Sequence, residues 1–139
     1  MKKSHKRFET FEHTADIGLR VFGKDDAALF SNAAFGLLSL LISTKDIQAQ
    51  SEKTIKLVED NVEELFVSWL NEILFYVTTR NFIPKKITID TISQRTIIAS
   101  LHGETKQIPL LTEIKAATYH ELEIKETEKG LEARVIFDT

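Results

Sequence analysis

A long amphipathic stretch that begins at Asn61 constrains the fold of this chain more than any other feature. Its apolar residues recur at the three- and four-residue spacing of one helix face. Asn61 can cap the exposed amides of the first turn, and Glu64 stands three residues later, in the capping-box position. The apolar stripe comprises Val62, Leu65, Phe66, Trp69, Leu70, Ile73, Leu74 and Val77. The sequence therefore predicts a helix whose broad apolar face packs on another layer.

An earlier helix is predicted to begin at Asp25 and Asp26, which place negative charge at its positive end, and to end near Ser43 and Thr44. Most other segments are predicted to be strands or the turns and loops between them. Extended segments are predicted at residues 8–11, 17–22, 54–58, 87–91, 95–101 and 119–125, with a loop at residues 102–106. The chain then turns at Gly130, and alternation resumes up to Asp138, which indicates a terminal hairpin.

These patterns predict an α+β protein in which two helices cover one face of a mainly antiparallel sheet. The chain has 139 residues, which suits a single core. We expect one domain over residues 8–139, preceded by a basic, disordered tail at residues 1–7. That tail could touch phosphates, or it could simply be solvated.

Composition excludes several classes of function. The chain has no cysteine, which rules out disulfides, thiolate zinc sites and cysteine nucleophiles. Its net charge of −3 is unlike that of proteins that grip nucleic acid with their own surface. No signal peptide or membrane span is evident, so we expect a cytoplasmic protein. No nucleotide-binding loop or hydrolase motif appears.

Two aspartates at strand ends are the first candidate site. Asp16 opens the strand at residues 17–22, and Asp138 ends the last strand, next to Thr139. Carboxylate and carbonyl oxygens are the ligands that Ca²⁺ and Mg²⁺ prefer, so these ends would form a metal site if the fold brought them together. Alternatively, Asp16 ends a turn and Asp138 is a solvated end of the chain.

Three further groups of residues have both a functional and a structural interpretation. His13 could be a metal ligand or proton carrier, or a half-buried residue bonded to backbone. Residues 113–120 place Lys115 where it could contact phosphate, or they form a surface strand with ordinary ion pairs. The polar face of the second helix could meet a basic partner or be solvated; it carries Glu64, Ser68, Asn71 and Glu72.

Four blocks of this sequence together resemble the archease family. They occur in the family's order and span nearly the whole chain. The blocks are Glu12-His13-Thr14-Ala15-Asp16-Ile17-Gly18, Trp69-Leu70-Asn71-Glu72-Ile73-Leu74, Glu113-Ile114-Lys115-Ala116-Ala117-Thr118-Tyr119-His120 and Val135-Ile136-Phe137-Asp138-Thr139.

The resemblance implies an SHS2-like core and a role as protein cofactor rather than enzyme. Archeases assist the RtcB-type RNA ligase of tRNA splicing and RNA repair by promoting GMP transfer to the ligase histidine and multiple turnover. The family binds Ca²⁺, or a related cation such as Mg²⁺ or Mn²⁺, through positions that match Asp16, Asp138 and Thr139. We expect RNA to be contacted only indirectly.

We place partner or phosphate contacts at Lys115 and Glu72, and supporting roles around the metal at His13 and His120. The chain departs from the family pattern at residues 106–111, where many members carry an acidic residue and an Arg-His or Lys-His pair. Two other functions remain open: a chaperone-like interaction module for nucleic-acid-processing proteins, and a small metal-dependent phosphoesterase.

Overall fold

The computed structural model describes residues 6–13 and 16–139, with the side chain of His13 excepted. The first five residues of the predicted tail lie outside this part of the chain. The helices are α1 (Asp26–Leu41) and α2 (Val62–Thr78). The strands are β1 (Phe8–His13), β2 (Asp16–Gly23), β3 (Ser51–Val58), β4 (Phe82–Ile92), β5 (Thr96–Thr105), β6 (Ala116–Ala117), β7 (Glu123–Thr127) and β8 (Gly130–Asp138). The α+β class with two helices packed on antiparallel strands is confirmed.

The strands form two sheets where the sequence patterns had suggested one. The large sheet has the order β1-β2-β8-β6, and β7 also pairs with β8. The small sheet has the order β3-β5-β4. Neighbouring strands are antiparallel throughout the described residues. Because β8 is last in sequence yet lies beside β2, the large sheet joins the two ends of the chain.

Helix α1 packs closely on the large sheet. Asp25 caps it by accepting a hydrogen bond from the backbone N–H of Ala28 at 2.9 Å, and the helix ends at Leu41, slightly before the predicted end. A Cβ on Gly36 would lie 2.7 Å from a methyl carbon of Leu19 on β2. Glycine is therefore needed here so that the helix can approach the strand.

Helix α2 packs on the small sheet and on α1. Asn61 accepts a hydrogen bond from the N–H of Glu64 at 2.9 Å, as the capping pattern predicts. Trp69 is fully buried, and its indole N–H donates to the carbonyl of Phe30 on α1 at 2.8 Å. This bond satisfies the one polar group of the largest core side chain, so it fixes how the two helices meet.

Two of the predicted boundaries are wrong. The loop expected at residues 102–106 is mostly strand, because β5 continues to Thr105. The alternation at residues 119–125 predicts a strand, but the chain turns there: the N–H of Leu122 donates to the carbonyl of Tyr119, and Glu121 has a φ of 53°. Only Glu123–Thr127 forms β7. Alternation of polar and apolar residues cannot detect a single left-handed residue.

The described helices include none that is long and apolar enough to cross a membrane.

Gly103 allows β4 to approach β5, and we predict that Gly103→Ala destabilises the fold. A Cβ at this position would lie 1.9 Å from the backbone carbonyl oxygen of Ile83, which is far inside van der Waals contact. The free energy of unfolding, measured in urea, should fall by about 2–4 kcal/mol. Glu52→Ala, an exposed change on β3, is the control and should cost little. A loss below about 0.5 kcal/mol for Gly103→Ala, typical of surface changes, would contradict this packing.

Candidate functional site

The pairing of β2 with β8 brings the two predicted aspartates to the same end of the large sheet. Ile17 pairs with Phe137, so the next residues outward in this register are Asp16 and Asp138. Residues directly opposite in an antiparallel pair lie about 4.5–5.5 Å apart at Cα and share a face of the sheet. Two carboxylates that are 122 positions apart in the chain are thus neighbours in space.

The short strand β6 completes this end of the sheet. Ala116 pairs with Asp138, and the backbone N–H of Lys115 donates to the carbonyl of Asp138 at 2.8 Å. The hydroxyl of Thr118 donates to the carbonyl of Ile136 at 2.8 Å. We call this region, with Asp16, Asp138, Lys115 and Ala116, the carboxylate end.

The two carboxylates are not neutralised by any described side chain. Asp138 is exposed and Asp16 half-buried, and neither makes an ion pair or side-chain hydrogen bond with the described residues. Arg134, on the same strand as Asp138, is engaged elsewhere: it stacks 4.7 Å from the ring centre of Phe11 and lies 3.7 Å from Glu121. Like charges placed opposite each other on a sheet repel, so the carboxylate end favours a cation.

The carboxylate pair does not by itself make a complete metal site. Among the side chains that the structure describes, no group of three or more His, Asp or Glu residues is close enough to hold a metal ion. Hard cations also accept carbonyl and water oxygens. Any cation held here would thus need oxygen ligands beyond the two aspartates.

Helix α2 positions β6 through Asn71, a role that the sequence did not reveal. The Asn71 side-chain oxygen accepts from the N–H of Ala117 at 2.8 Å, and its amide donates to the Ala117 carbonyl at 3.4 Å. Ser68, one turn earlier, donates to Glu59 at 2.6 Å. The interpretation of this helix face as merely solvated is therefore wrong for Asn71 and Ser68. The family-like block at residues 69–74 contains Asn71 and was the available signal. Its spacing does not indicate that the Asn71 side chain binds the backbone of another element.

The other predicted site residues lie on segments that adjoin the carboxylate end in sequence or through a neighbouring residue. Glu72 follows Asn71 on α2 and is half-buried, and Thr139, directly after β8, is half-buried too. The backbone of His13 pairs with Asp16, although its side chain lies outside the described residues. His120 is exposed, and its ring nitrogen is 3.9 Å from the carboxylate of Glu121. The structure thus brings Asp16, Asp138 and Lys115 to the same end of the large sheet.

Tyr119 is an exposed aromatic side chain just beyond β6, with 57% of its surface accessible. Partial burial, and then the negative charges of Glu64 and Glu59, raise the pKa of the phenol above its usual value of 10.0. Its ring therefore stands beside an acidic part of α2 and the chain before it. Such a surface offers an aromatic contact and negative charge to a partner.

Comparison with known proteins agrees with this architecture. Residues 8–139 match the model of the archease protein family. The chain belongs to the archease family. The archease of Methanosarcina barkeri is 34% identical over an alignment of 145 positions, which covers 99% of this chain and 99% of its own. The archease of Saccharolobus islandicus is also 34% identical, over 96% of this chain and 99% of its own.

Two solved structures share the archease fold described here. The solution structure of a Methanobacterium thermoautotrophicum protein has a TM-score of 0.79 and 30% identity, and the match covers 96% of this chain and 99% of that one. The crystal structure of a Thermotoga maritima archease, described as a possible chaperone, has a TM-score of 0.67 and 26% identity. That match covers 99% of this chain and 100% of the Thermotoga chain.

In this archease, we predict that Asn71→Ala releases β6. Loss of the side chain leaves the buried Ala117 N–H without its acceptor, which should lower the free energy of unfolding by about 1–3 kcal/mol. Hydrogen exchange at the Ala117 amide should accelerate. Asn71→Asp keeps an acceptor and should largely preserve protection. Ser68→Ala, which removes a bond to Glu59 only, should leave the exchange of Ala117 unchanged; equal acceleration in Ser68→Ala would argue against the clamp.

We also predict that Glu64→Gln lowers the pKa of Tyr119 towards its usual value. Removing one negative charge makes the phenolate less unfavourable. The chain has two tyrosines, so a Tyr76→Phe background isolates Tyr119 in an alkaline absorbance titration at 295 nm. Glu63→Gln removes the same charge from the neighbouring position and should shift the titration less. Equal shifts in the two variants would exclude a specific effect of Glu64.

Proposed function

We propose that this chain is a metal-binding protein cofactor that activates an RtcB-type RNA ligase in tRNA splicing and RNA repair. In this role it promotes GMP transfer to the ligase histidine and permits multiple turnover, and it is not itself an enzyme. The observation that carries the proposal is the carboxylate end, where Asp16 and Asp138 meet without a neutralising partner among the described residues. Membership of the archease family supports the same assignment.

The residues present fit a hard divalent cation. Asp16, Asp138 and oxygen atoms of Thr139 would hold it, and these are the ligand types that Ca²⁺, Mg²⁺ and Mn²⁺ accept. When bound, such an ion supplies positive charge that can position and neutralise phosphate groups. The chain contributes a rigid frame, because β1, β2, β8 and β6 all meet at this edge.

Two exposed or half-exposed side chains beside that frame would make the contact with the ligase. The backbone N–H of Lys115 donates to the carbonyl of Asp138, which fixes the position of this residue. Its side chain is exposed, so the ammonium group is available to a phosphate or a partner carboxylate. Glu72 lies next to Asn71, which holds β6 in place. Glu72 lies on α2 and Lys115 directly precedes β6, and the hydrogen bond of Asn71 to Ala117 holds α2 and β6 together.

The metal role predicts that Asp16→Asn and Asp138→Asn abolish stimulation of the ligase while leaving the fold intact. Both aspartates lack described partners, so the free energy of unfolding should change by less than about 1 kcal/mol. The assay counts ligase molecules that carry GMP over time, with purified ligase, GTP and metal. Asp46→Asn, an exposed aspartate without a described partner, is the matched control and should stimulate like the wild type.

Stimulation by both variants at the wild-type level would overturn the metal role. Calorimetry gives a second readout: Ca²⁺, Mg²⁺ or Mn²⁺ should bind the wild type and Asp46→Asn, and binding should weaken in Asp16→Asn and Asp138→Asn.

A chaperone-like interaction module is the second candidate function. Leu110 and Leu111 are 44% and 65% exposed and adjacent in the segment that leads into β6. They could bind an apolar surface of a partner. This function predicts stimulation that survives in Asp16→Asn and Asp138→Asn but is lost in Leu110→Ser/Leu111→Ser, whereas the cofactor function predicts loss in the two aspartate variants.

A further inference from the structure

The opposite end of the large sheet carries a groove with positive charge. The groove has a volume of about 1020 Å³ and lies where the chain enters β1, β2 ends and β7 turns into β8. Four cationic side chains line it, against two carboxylates, in a protein whose net charge is −3. The cations are Lys6, Arg7, Lys24 and Lys129. We call this region the basic groove.

The cations of the basic groove are largely available to a ligand. Lys24 and Lys129 are exposed, and their ammonium groups make no ion pair or hydrogen bond with the described residues. Lys6 pairs with Glu9 at 3.0 Å. Of the two lining carboxylates, Glu132 lies within 4.0 Å of Arg20 and of Lys125, so it is already partly neutralised. Glu128 is exposed at the hairpin turn.

Arg7 is held in place before any ligand arrives. Its Nε donates to the side-chain oxygen of Asn32 at 2.9 Å, and its guanidinium stacks 4.8 Å from the ring centre of Phe35. The amide of Asn32 in turn donates to the carbonyl of Phe22 at 2.7 Å. These contacts engage Nε and the face of the guanidinium, while no described residue pairs with its Nη atoms. A pre-positioned guanidinium of this kind is well suited to phosphate oxygens.

The wall between the cations is apolar. Phe22, Ala28 and Leu131 line the groove, and the stems of the lysines add carbon surface. A phosphate alone would use the cations and leave this wall exposed. A ligand that joins phosphate to a flat ring system would use both, because nucleobases stack on aromatic and apolar side chains.

We propose that the basic groove binds a nucleoside phosphate, either as a free nucleotide or as the terminal nucleotide of an RNA strand. The groove lies about 20–25 Å from the carboxylate end, because β2 runs eight residues from Asp16 to Gly23 between them. It is therefore a second site, independent of the metal role.

The test uses the full chain and ¹H–¹⁵N NMR titrations with GMP, guanosine, inorganic phosphate and a five-nucleotide RNA bearing a 3′-phosphate. GMP should shift the amides of Phe22, Lys24 and Leu131, and guanosine and inorganic phosphate should each bind more weakly. If the natural ligand is the end of an RNA strand, the oligonucleotide should displace GMP and should do so at a lower concentration than inorganic phosphate does. If it is a free nucleotide, the oligonucleotide should not compete.

Charge variants separate a specific site from general attraction. Lys24→Gln/Lys129→Gln should weaken GMP binding about tenfold at low salt, since two charged contacts to the phosphate are lost together. Lys56→Gln/Lys86→Gln changes the net charge equally on exposed positions of the small sheet and should change binding less than twofold. Neither lysine double variant should change metal binding at the carboxylate end. A negative result for the basic groove is therefore distinct from a negative result for the cofactor role.

Three results would overturn the proposal. The first is the absence of GMP shifts around the groove, and the second is equal GMP affinity in the wild type and Lys24→Gln/Lys129→Gln. The third is an equal loss in both lysine pairs, which would show that only net charge matters.

Discussion

The antiparallel pairing of β2 with β8 is the interaction on which the rest of this structure depends. It runs from Ile17 opposite Phe137 to Gly23 opposite Leu131, and it joins an early segment to the last strand. Leu19 and Val135 pair within it and are fully buried against the helices. The same register places both candidate regions, with the carboxylate end at one end of the pair and the basic groove at the other.

The two sheets are connected by the helices rather than by shared strands. Trp69 and Asn71 lie on the same helix, and each uses one polar group to fix a distant backbone segment: Trp69 binds Phe30 on α1, and Asn71 binds Ala117 on β6. The Trp69 bond is buried and the Asn71 bond is partly buried, so loss of either partner would leave a polar group unpaired at a cost in stability. Helix α2 therefore packs in the core and also fixes the position of β6, whose residue Ala116 pairs with Asp138.

The two candidate regions of the large sheet are built from different charged side chains. The carboxylate end carries Asp16 and Asp138, and the basic groove carries Arg7, Lys24 and Lys129. The middle of the outer face is neutral on balance, because Arg20 bonds to Glu9 and lies close to Glu132. The proposed cation site and the proposed nucleotide groove therefore lie at opposite ends of the large sheet.

Local patterns were sufficient for much of the fold. The Asn61 cap, the apolar stripe of α2 and the turn at Gly130 each follow from neighbouring residues, and the structure confirms them. Patterns failed where distant backbone decides the conformation. Gly103 belongs to a strand because β4 approaches it closely, and β6 is two residues long because it is defined by its pairing with β8.

The candidate site shows the same division. Residue type and position at strand ends were enough to single out Asp16 and Asp138, with Thr139, as possible ligands for a hard cation. Local patterns also suggested Lys115 and Glu72 as contacts, and the resemblance to archeases points to the same metal positions. Only the tertiary structure decided that the two aspartates are neighbours, that Asn71 holds β6, and that Lys24 and Lys129 share a groove with Arg7. The physical reason is that sequence periodicity reports which face of an element is apolar, whereas proximity between elements depends on strand order and register, which are set by the packing of the whole core.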